Sequence, residues 1–274
     1  MYTKATIKED LRKMNAPQDK VVIAHTSLRA VGEVEGRGEA FLDALIEYFT
    51  ERGGLLLIPT HTWRSLDRGC DEPTLDMSSH ETCIGTLPNL AAAHPMAHRS
   101  LHPTHSMAVF DGRTAAYESG AAEDYIAGEV MVDTSTSQNG CYGRILDEDG
   151  AVILIGVDHN RNTFLHSVEE RMGVLNRLSV EPVETKIRLL SGDVIERPIH
   201  CHHAVGCSDV SANYPKYEPA FRHFGAITDG TVGNAHTKLC SARKMAAAME
   251  RVRERSNGIE LMFDDAPLDE SYYL

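Results

Sequence analysis

The sequence predicts an α/β fold with a largely parallel central sheet flanked by helices. Three continuous apolar runs, over 21–24, 55–58 and 151–155, have the composition and length of buried parallel strands. Between the first two, apolar residues over 41–49 recur at helical spacing, and Gly53-Gly54 ends that helix. Strand, helix and strand in this order form a βαβ unit with a right-handed crossover.

The other elements have shorter signals. Ser191-Gly192-Asp193 joins two alternating segments, 185–190 and 194–199, which predicts a β-hairpin. Periodicity and capping patterns predict a helix opened by Thr6 and ending before Pro17, a helix over 87–93, a strand over 107–110, helix and strand material over 115–122 and 146–155, and a helix over 239–255. No composition break marks a linker, so we expect one domain over 1–274 with a smaller C-terminal extension of β-hairpin and helix.

Composition limits the class of protein. The 274 residues include 40 acidic and 27 basic side chains, a formal net charge of −13. This balance argues against a nucleic-acid partner and is compatible with a polycationic ligand. No window approaches 18 apolar residues, and Met1–Met14 lacks the apolar segment of a signal peptide. The six cysteines show no paired spacing, so we expect reduced thiols, no membrane segment and a cytoplasmic location.

One stretch combines a strand end, a polar loop and a helix start. The apolar run over 151–155 leads into a loop from Asp158 and then a predicted helix capped by Asn162 or Thr163. On that helix His166 and Glu169 are three residues apart and share one face. A base held by a carboxylate and a structural ion pair of the helix both explain this spacing.

Three polar segments adjoin apolar strands: 25–27, 99–106 and 158–169. If the strands are parallel, these segments can converge at one edge of the sheet. The sequence contains no G-x-S-x-G nucleophile elbow, no Walker phosphate loop and no G-x-G-x-x-G after a strand. Chemistry assisted by a general base such as His166 is therefore favoured over covalent or nucleotide-driven chemistry.

These segments resemble the aminoglycoside 3-N-acetyltransferase family, whose fold differs from that of the GCN-type acetyltransferases. The motifs that carry the resemblance are His25-Thr26-Ser27-Leu28, Pro59-Thr60-His61-Thr62, Ile84-Gly85-Thr86-Leu87, Arg99-Ser100-Leu101-His102-Pro103-Thr104-His105-Ser106 and Thr163-Phe164-Leu165-His166-Ser167-Val168-Glu169. Their order and spacing are similar to those of the family over roughly residues 1–255. The threonine-x-x-histidine-x-x-glutamate pattern is specific in combination with the arginine-serine-x-histidine-proline pattern.

The resemblance implies transfer of an acetyl group from acetyl-CoA to the 3-amino group of an aminoglycoside antibiotic. His166 matches the family's catalytic histidine and would remove a proton from the attacking amine, while Glu169 would hold the imidazole. Direct transfer needs no enzyme nucleophile. The residues expected to bind or shape the pocket of the cofactor are His25, Thr26, Ser27, Leu28, Arg99, Ser100, His102 and Ser106.

The acceptor side is predicted from charge and position. Asp158 opens the loop before the His166 helix, and Asp67 lies in the long segment 63–95, which is typical of a cleft wall. A carboxylate at either place could bind a substrate ammonium group, and we expect Asn162 and Thr163 beside it. A solvated loop carboxylate is the alternative for each acidic residue. A related enzyme that acetylates another small amine would share all of these features.

The segment 200–207 holds three histidines and two cysteines in eight residues. Imidazole and thiolate are the usual ligands of zinc, so a zinc-binding or regulatory protein is an alternative of another class. The spacing matches no familiar zinc module, and neighbouring residues of a strand point to opposite faces. We therefore expect a structural or acceptor-side role for this cluster and no metal. The oligomeric state stays open.

Overall fold

Three parallel strands form the centre of the main sheet. In the computed structural model, which describes residues 1–69, 72–112, 121–202 and 209–274, Ile23 of the first strand pairs with Leu57 on one side and Val152 on the other. The strands are β1 (Val21–Thr26), β2 (Leu55–Pro59), β3 (Leu75–Asp76), β4 (His98–Arg99), β5 (Met107–Asp111), β6 (Ala151–Ile155), β7 (Lys186–Arg188), β8 (Val194–Glu196), β9 (Ile227–Val232) and β10 (Ala235–Ser241).

The main sheet has seven strands in the order β4-β5-β2-β1-β6-β10-β9. β1 is parallel to both β2 and β6, whereas the outer pairs are antiparallel. β5 and β10 run opposite to the three central strands, and β4 and β9 are antiparallel to them in turn. Five of the seven strands therefore run in the same direction. The predicted α/β class with a largely parallel sheet is confirmed.

Helices cover both faces of this sheet. They are α1 (Lys4–Lys13), α2 (Leu28–Val31), α3 (Arg37–Phe49), α4 (Thr86–Ala93), α5 (Ala121–Ile126), α6 (Cys141–Asp147), α7 (Phe164–Met172), α8 (Glu218–His223) and α9 (Ala242–Arg255). Side chains of a strand alternate between faces, so Val22 and Leu56 meet α1, α3 and α4, while Ile23 and Leu57 meet α6, α7 and α9. In the described part of the chain, no helix is both long and apolar enough to cross a membrane.

Several element boundaries differ from the prediction. α1 begins at Lys4, because the capping box is formed by Thr3 and Thr6 and lies three residues earlier than predicted. α9 begins at Ala242, since the Ser241 hydroxyl accepts from the Lys244 N–H and Leu239 belongs to β10. Most of the helix predicted over 115–122 lies outside the described residues.

The C-terminal part of the chain returns to the main sheet. The predicted hairpin is present as β7 and β8, and it forms a separate three-stranded sheet with β3. β9 and β10, which were not predicted, then extend the main sheet from β6. The four cysteines within the described ranges, Cys83, Cys141, Cys201 and Cys240, are free thiols, as expected.

Candidate active site

A cavity of about 1210 Å³ opens at the carboxyl edge of the central strands. Its walls include Thr26 at the end of β1, Pro59 at the end of β2, Thr163 before α7 and Thr104 before β5. The segment before β5 reaches this edge because β5 runs antiparallel to β2, so that its start lies beside the end of β2. The predicted convergence of the polar segments is therefore confirmed, although one of them arrives through an antiparallel strand.

His166 lies on the cavity wall, with 14% of its side chain exposed. α7 begins after Thr163, and its first two turns place His166 above Glu169. Glu169 Oε2 is 3.4 Å from His166 Nδ1, and an Arg177 guanidinium nitrogen lies 2.8 Å from the same ring nitrogen. The Tyr214 hydroxyl also contacts Nδ1. Protein groups thus surround Nδ1 and leave Nε2 for the cavity.

Glu169 is ionised although it is fully buried. Burial alone would raise its pKa, but hydrogen bonds and charges of His166 and Arg177 lower the pKa below the ordinary value. Arg177 Nε donates to Glu169 Oε2 over 2.6 Å, and the exposed fractions of the two side chains are 3% and 0%. A carboxylate held in this way can stabilise an imidazolium at His166.

A second histidine–glutamate pair stands beside the first. His202 Nε2 is 2.8 Å from Glu170 Oε1, and the rings of His202 and His166 are 4.6 Å apart. Glu170 also accepts hydrogen bonds from the Thr134 hydroxyl and from the backbone and hydroxyl of Thr136. Burial opposes its ionisation, yet the bonds from His202 and the threonines lower the pKa of Glu170 to about 2.

Further imidazoles continue this wall. The His105 ring is 5.4 Å from His202 and 4.5 Å from His61. Burial lowers the pKa of His61 and His105 well below the ordinary value, and neighbouring imidazoles lower it further. Burial also lowers the pKa of His25 to about 3. These three histidines are therefore neutral at physiological pH.

Six of the fourteen predicted site residues meet at the cavity. His25, Thr26, Asp67, Thr163 and His166 line it, and Glu169 supports His166 from behind. Asp67 belongs to the 3-10 helix Trp63–Arg68, at the start of the long segment expected to form a cleft wall.

Four of the residues predicted to bind the cofactor serve the backbone instead of lining the cavity. The Ser27 hydroxyl caps α2 by accepting from the Ala30 N–H. The Ser100 hydroxyl accepts from the Met107 N–H, and the Ser106 hydroxyl donates to the Thr60 carbonyl. Both ring nitrogens of His102 bond to the backbone at 104, 105 and 134. Their contacts to the cofactor stay predictions.

The remaining predicted residues do not line the cavity either. Leu28 packs on the core beside α3. Arg99 is buried and donates to the Ser79 carbonyl over 2.6 Å, and burial lowers its pKa to about 10. Asn162 is 1% exposed and contacts His159 and Met245.

Asp158 is already paired with a cation of the protein. Lys238 Nζ lies 2.8 Å from its Oδ1, and the same lysine contacts Glu218. The carboxylate also accepts from the His159 N–H over 2.7 Å. In this structure Asp158 therefore stabilises the loop before α7, and the expected contact with a substrate ammonium stays a prediction.

The residues of the 200–207 cluster that the structure describes make different contacts. His200 Nδ1 bonds to the Ser179 carbonyl, whereas Cys201 and His202 line the cavity. Residues 203–208 lie outside the described ranges. Burial raises the pKa of Cys201 to about 11, so its thiol is protonated at neutral pH. The structural or acceptor-side role expected for this cluster stays a prediction.

Sequence reasoning missed most of the residues that surround His166. Arg177 and Tyr214 lie 11 and 48 positions from His166 in the sequence, so no local spacing connects them to it. The sequence shows Glu170 as the second acidic residue of the helix, but its contact with His202 depends on the fold. Trp63, the single tryptophan of the chain, is 40% exposed at the cavity, with the Arg64 guanidinium 5.4 Å from its ring centre.

Comparison with known proteins confirms the family that the motifs resemble. The model of the aminoglycoside 3-N-acetyltransferase family matches residues 23–254. Aminoglycoside N(3)-acetyltransferase VII of Streptomyces paromomycinus is 28% identical, over 93% of this chain and 94% of the relative. A solved structure of aminoglycoside acetyltransferase AAC(3)-IVa in complex with gentamicin is 22% identical, with a TM-score of 0.74 over 93% of this chain and 90% of that one. AAC-IIIb, solved with coenzyme A, has a TM-score of 0.71 at 17% identity, over 92% of this chain and 97% of that one. On the family match, this chain belongs to the aminoglycoside 3-N-acetyltransferases, which use acetyl-CoA as co-substrate.

Proposed function

We propose that this protein transfers the acetyl group of acetyl-CoA to the 3-amino group of an aminoglycoside, with His166 as the general base. The observation that carries the proposal is the position of His166: its ring lines the cavity while Glu169, Arg177 and Tyr214 surround Nδ1. Family membership supplies the reaction class.

His166 accepts at Nε2 the proton that the acceptor amine loses. The amine nitrogen forms a bond to the thioester carbon, the carbon–sulfur bond breaks, and the imidazolium returns its proton to the departing thiolate. Base action at Nε2 requires the neutral ring to carry its proton on Nδ1, and the Glu169 carboxylate and Tyr214 oxygen are the acceptors within reach. Glu169, fixed by Arg177, then stabilises the charged ring.

The cavity has groups that suit coenzyme A. Arg64 and Arg161 line it, are exposed, and form no ion pair within the described ranges, so their guanidinium groups can hold phosphate. Ile84 and Pro88 offer apolar contacts. A side chain at Gly85 would meet no atom within 4 Å, so this stretch of wall is open.

The acceptor side is acidic. Asp67 and Asp209 line the cavity, and Glu169 and Glu170 stand behind its histidines. An aminoglycoside carries several ammonium groups, and negative side chains in a cleft raise the local concentration of such a ligand. The complex of AAC(3)-IVa with gentamicin supports an aminoglycoside over another small amine.

The test is thiol release from acetyl-CoA with a panel of aminoglycosides and of simple amines. We expect turnover with aminoglycosides, and His166→Ala should lower kcat by about 10²–10⁴-fold, the usual contribution of a general base. Ser191→Ala, in the turn between β7 and β8, is the matched control and should keep wild-type activity. Near-normal kcat in His166→Ala would disprove the base assignment, and turnover restricted to simple amines would disprove the acceptor.

A further inference from the structure

The His202–Glu170 pair has no part in the proton transfer described above. It lies beside His166 on the same wall, and its carboxylate is more completely hydrogen-bonded than Glu169. A buried carboxylate paired with an imidazole is costly to maintain unless it stabilises the fold or binds a ligand. The orientation of its imidazole distinguishes these two uses.

The proton positions on His202 follow from its partner. An ionised carboxylate can only accept hydrogen bonds, so His202 Nε2 carries the ring proton and donates it to Glu170 over 2.8 Å. Nδ1 then carries a lone pair. Among the described residues no group bonds to Nδ1, and His202 lines the cavity with 16% of its side chain exposed. His202 therefore presents a fixed hydrogen-bond acceptor to the cavity.

The surroundings of His202 favour a cation as its ligand. The charged and titratable groups that face it are His166 and Glu170 from α7, His105 from the segment before β5, and Arg177 from the loop after α7. The carboxylates of Glu170 and of Glu169, which lies behind His166, and the guanidinium of Arg177 together contribute a charge of −1. Burial and the neighbouring His166 lower the pKa of His202 to about 4, although Glu170 raises it, so the ring stays neutral and cannot itself supply the positive charge.

We propose that His202, oriented by Glu170, is a binding subsite for an ammonium group of the acceptor next to His166. An N–H of the ammonium donates to His202 Nδ1, and the Glu170 carboxylate behind the ring balances its charge. The 4.6 Å between the two rings places an amine held by His202 within reach of His166. This inference rests on the proposed function, because it assumes that the acceptor is a cationic amine.

Binding should be measured in a protein that cannot turn over. We expect the aminoglycoside with the lowest wild-type KM to bind His166→Ala, by isothermal titration, at least about tenfold more tightly than it binds His166→Ala/His202→Ala, because a hydrogen bond to a charged group is lost. Coenzyme A should bind both proteins equally. Equal binding of the aminoglycoside, or equal weakening of both ligands, would overturn the proposal.

Steady-state kinetics separate this role from a structural one. In the enzyme with His166 intact, His202→Asn, which keeps an acceptor oxygen, should raise the KM of the aminoglycoside less than His202→Ala does. Both substitutions should leave the KM of acetyl-CoA unchanged. His200→Gln is the matched control, because His200 bonds to the backbone outside the cavity. If the wild-type protein releases no thiol, the proposed function fails; if it turns over and His202→Ala has the wild-type acceptor KM, only the subsite fails.

Discussion

At the scale of single residues, the buried ion pair between Glu169 and Arg177 is the interaction on which the site depends most. Both side chains are almost wholly inaccessible, and the carboxylate is ionised although burial opposes its charge. Removing one partner of a buried pair leaves the other charge without compensation. His166 depends on this pair for its orientation, so stability and catalysis are connected here.

Replacing Arg177 by Met should therefore destabilise the protein by about 3–5 kcal/mol, as expected when one member of a buried pair is lost. The free energy of unfolding, measured with urea, tests this. Arg171→Met, near the end of α7, is the control: Arg171 pairs with Asp147 at the surface over 2.8 Å, and its loss should cost at most about 1 kcal/mol. Similar losses in both variants would show that Glu169 is not held by Arg177.

At the scale of elements, the turn after β6 positions α7 and with it His166. Gly156 has a φ of +66°, and a Cβ there would lie 2.3 Å from the Cβ of Ala30 in α2. The turn thus needs glycine for both its backbone conformation and its close approach to α2. Gly192, between β7 and β8, also has a positive φ, of +92°, but a Cβ there would meet no atom within 4 Å.

Substitutions at these two glycines separate the cost of the backbone conformation from the cost of steric contact with α2. Gly192→Ala should lower the free energy of unfolding by about 1 kcal/mol, from backbone strain alone. Gly156→Ala adds a steric overlap with α2 and should cost at least about 1–3 kcal/mol more, in addition to lowering activity. Urea unfolding of both variants provides the comparison, and equal losses would mean that α2 moves away freely.

The elements also show what sequence could predict. β1, β2 and β6 are buried on both faces, so each is an unbroken apolar run and was found. β9 and β10 were missed because only the last residue of β9 is buried, and because β9 contains Asp229 and Gly230, residues depleted in strands. His166 and Glu169 were found through their spacing on one helix, whereas Arg177, His202 and Tyr214 join them only through contacts between distant segments.

At the scale of the whole molecule, buried neutral histidines make stability depend on pH. His25 has a pKa of about 3, and His159 and His202 have pKa values of about 4, with burial as the main cause in each. In the unfolded chain these side chains would bind protons below about pH 6.5. Between pH 6.5 and about 4 the unfolded state therefore binds more protons than the folded one, and stability falls as the pH falls.

We expect each of these histidines to contribute a loss of about 1.4 kcal/mol per pH unit in that interval. Urea unfolding at pH 7, 6 and 5 measures the slope. His159→Gln removes one titrating group outside the cavity and should make the slope smaller by about that amount. An unchanged slope in this variant would show that His159 is already protonated in the folded protein.

The position of Trp63 gives the protein an intrinsic optical reporter. It is the one tryptophan among 274 residues, and its half-exposed ring stands at the cavity beside a cationic side chain. Emission excited at the indole band therefore comes from the wall of the cleft and from nowhere else in the chain. A ligand that displaces water from this ring shifts the emission to shorter wavelength, so occupancy can be followed in the unlabelled enzyme.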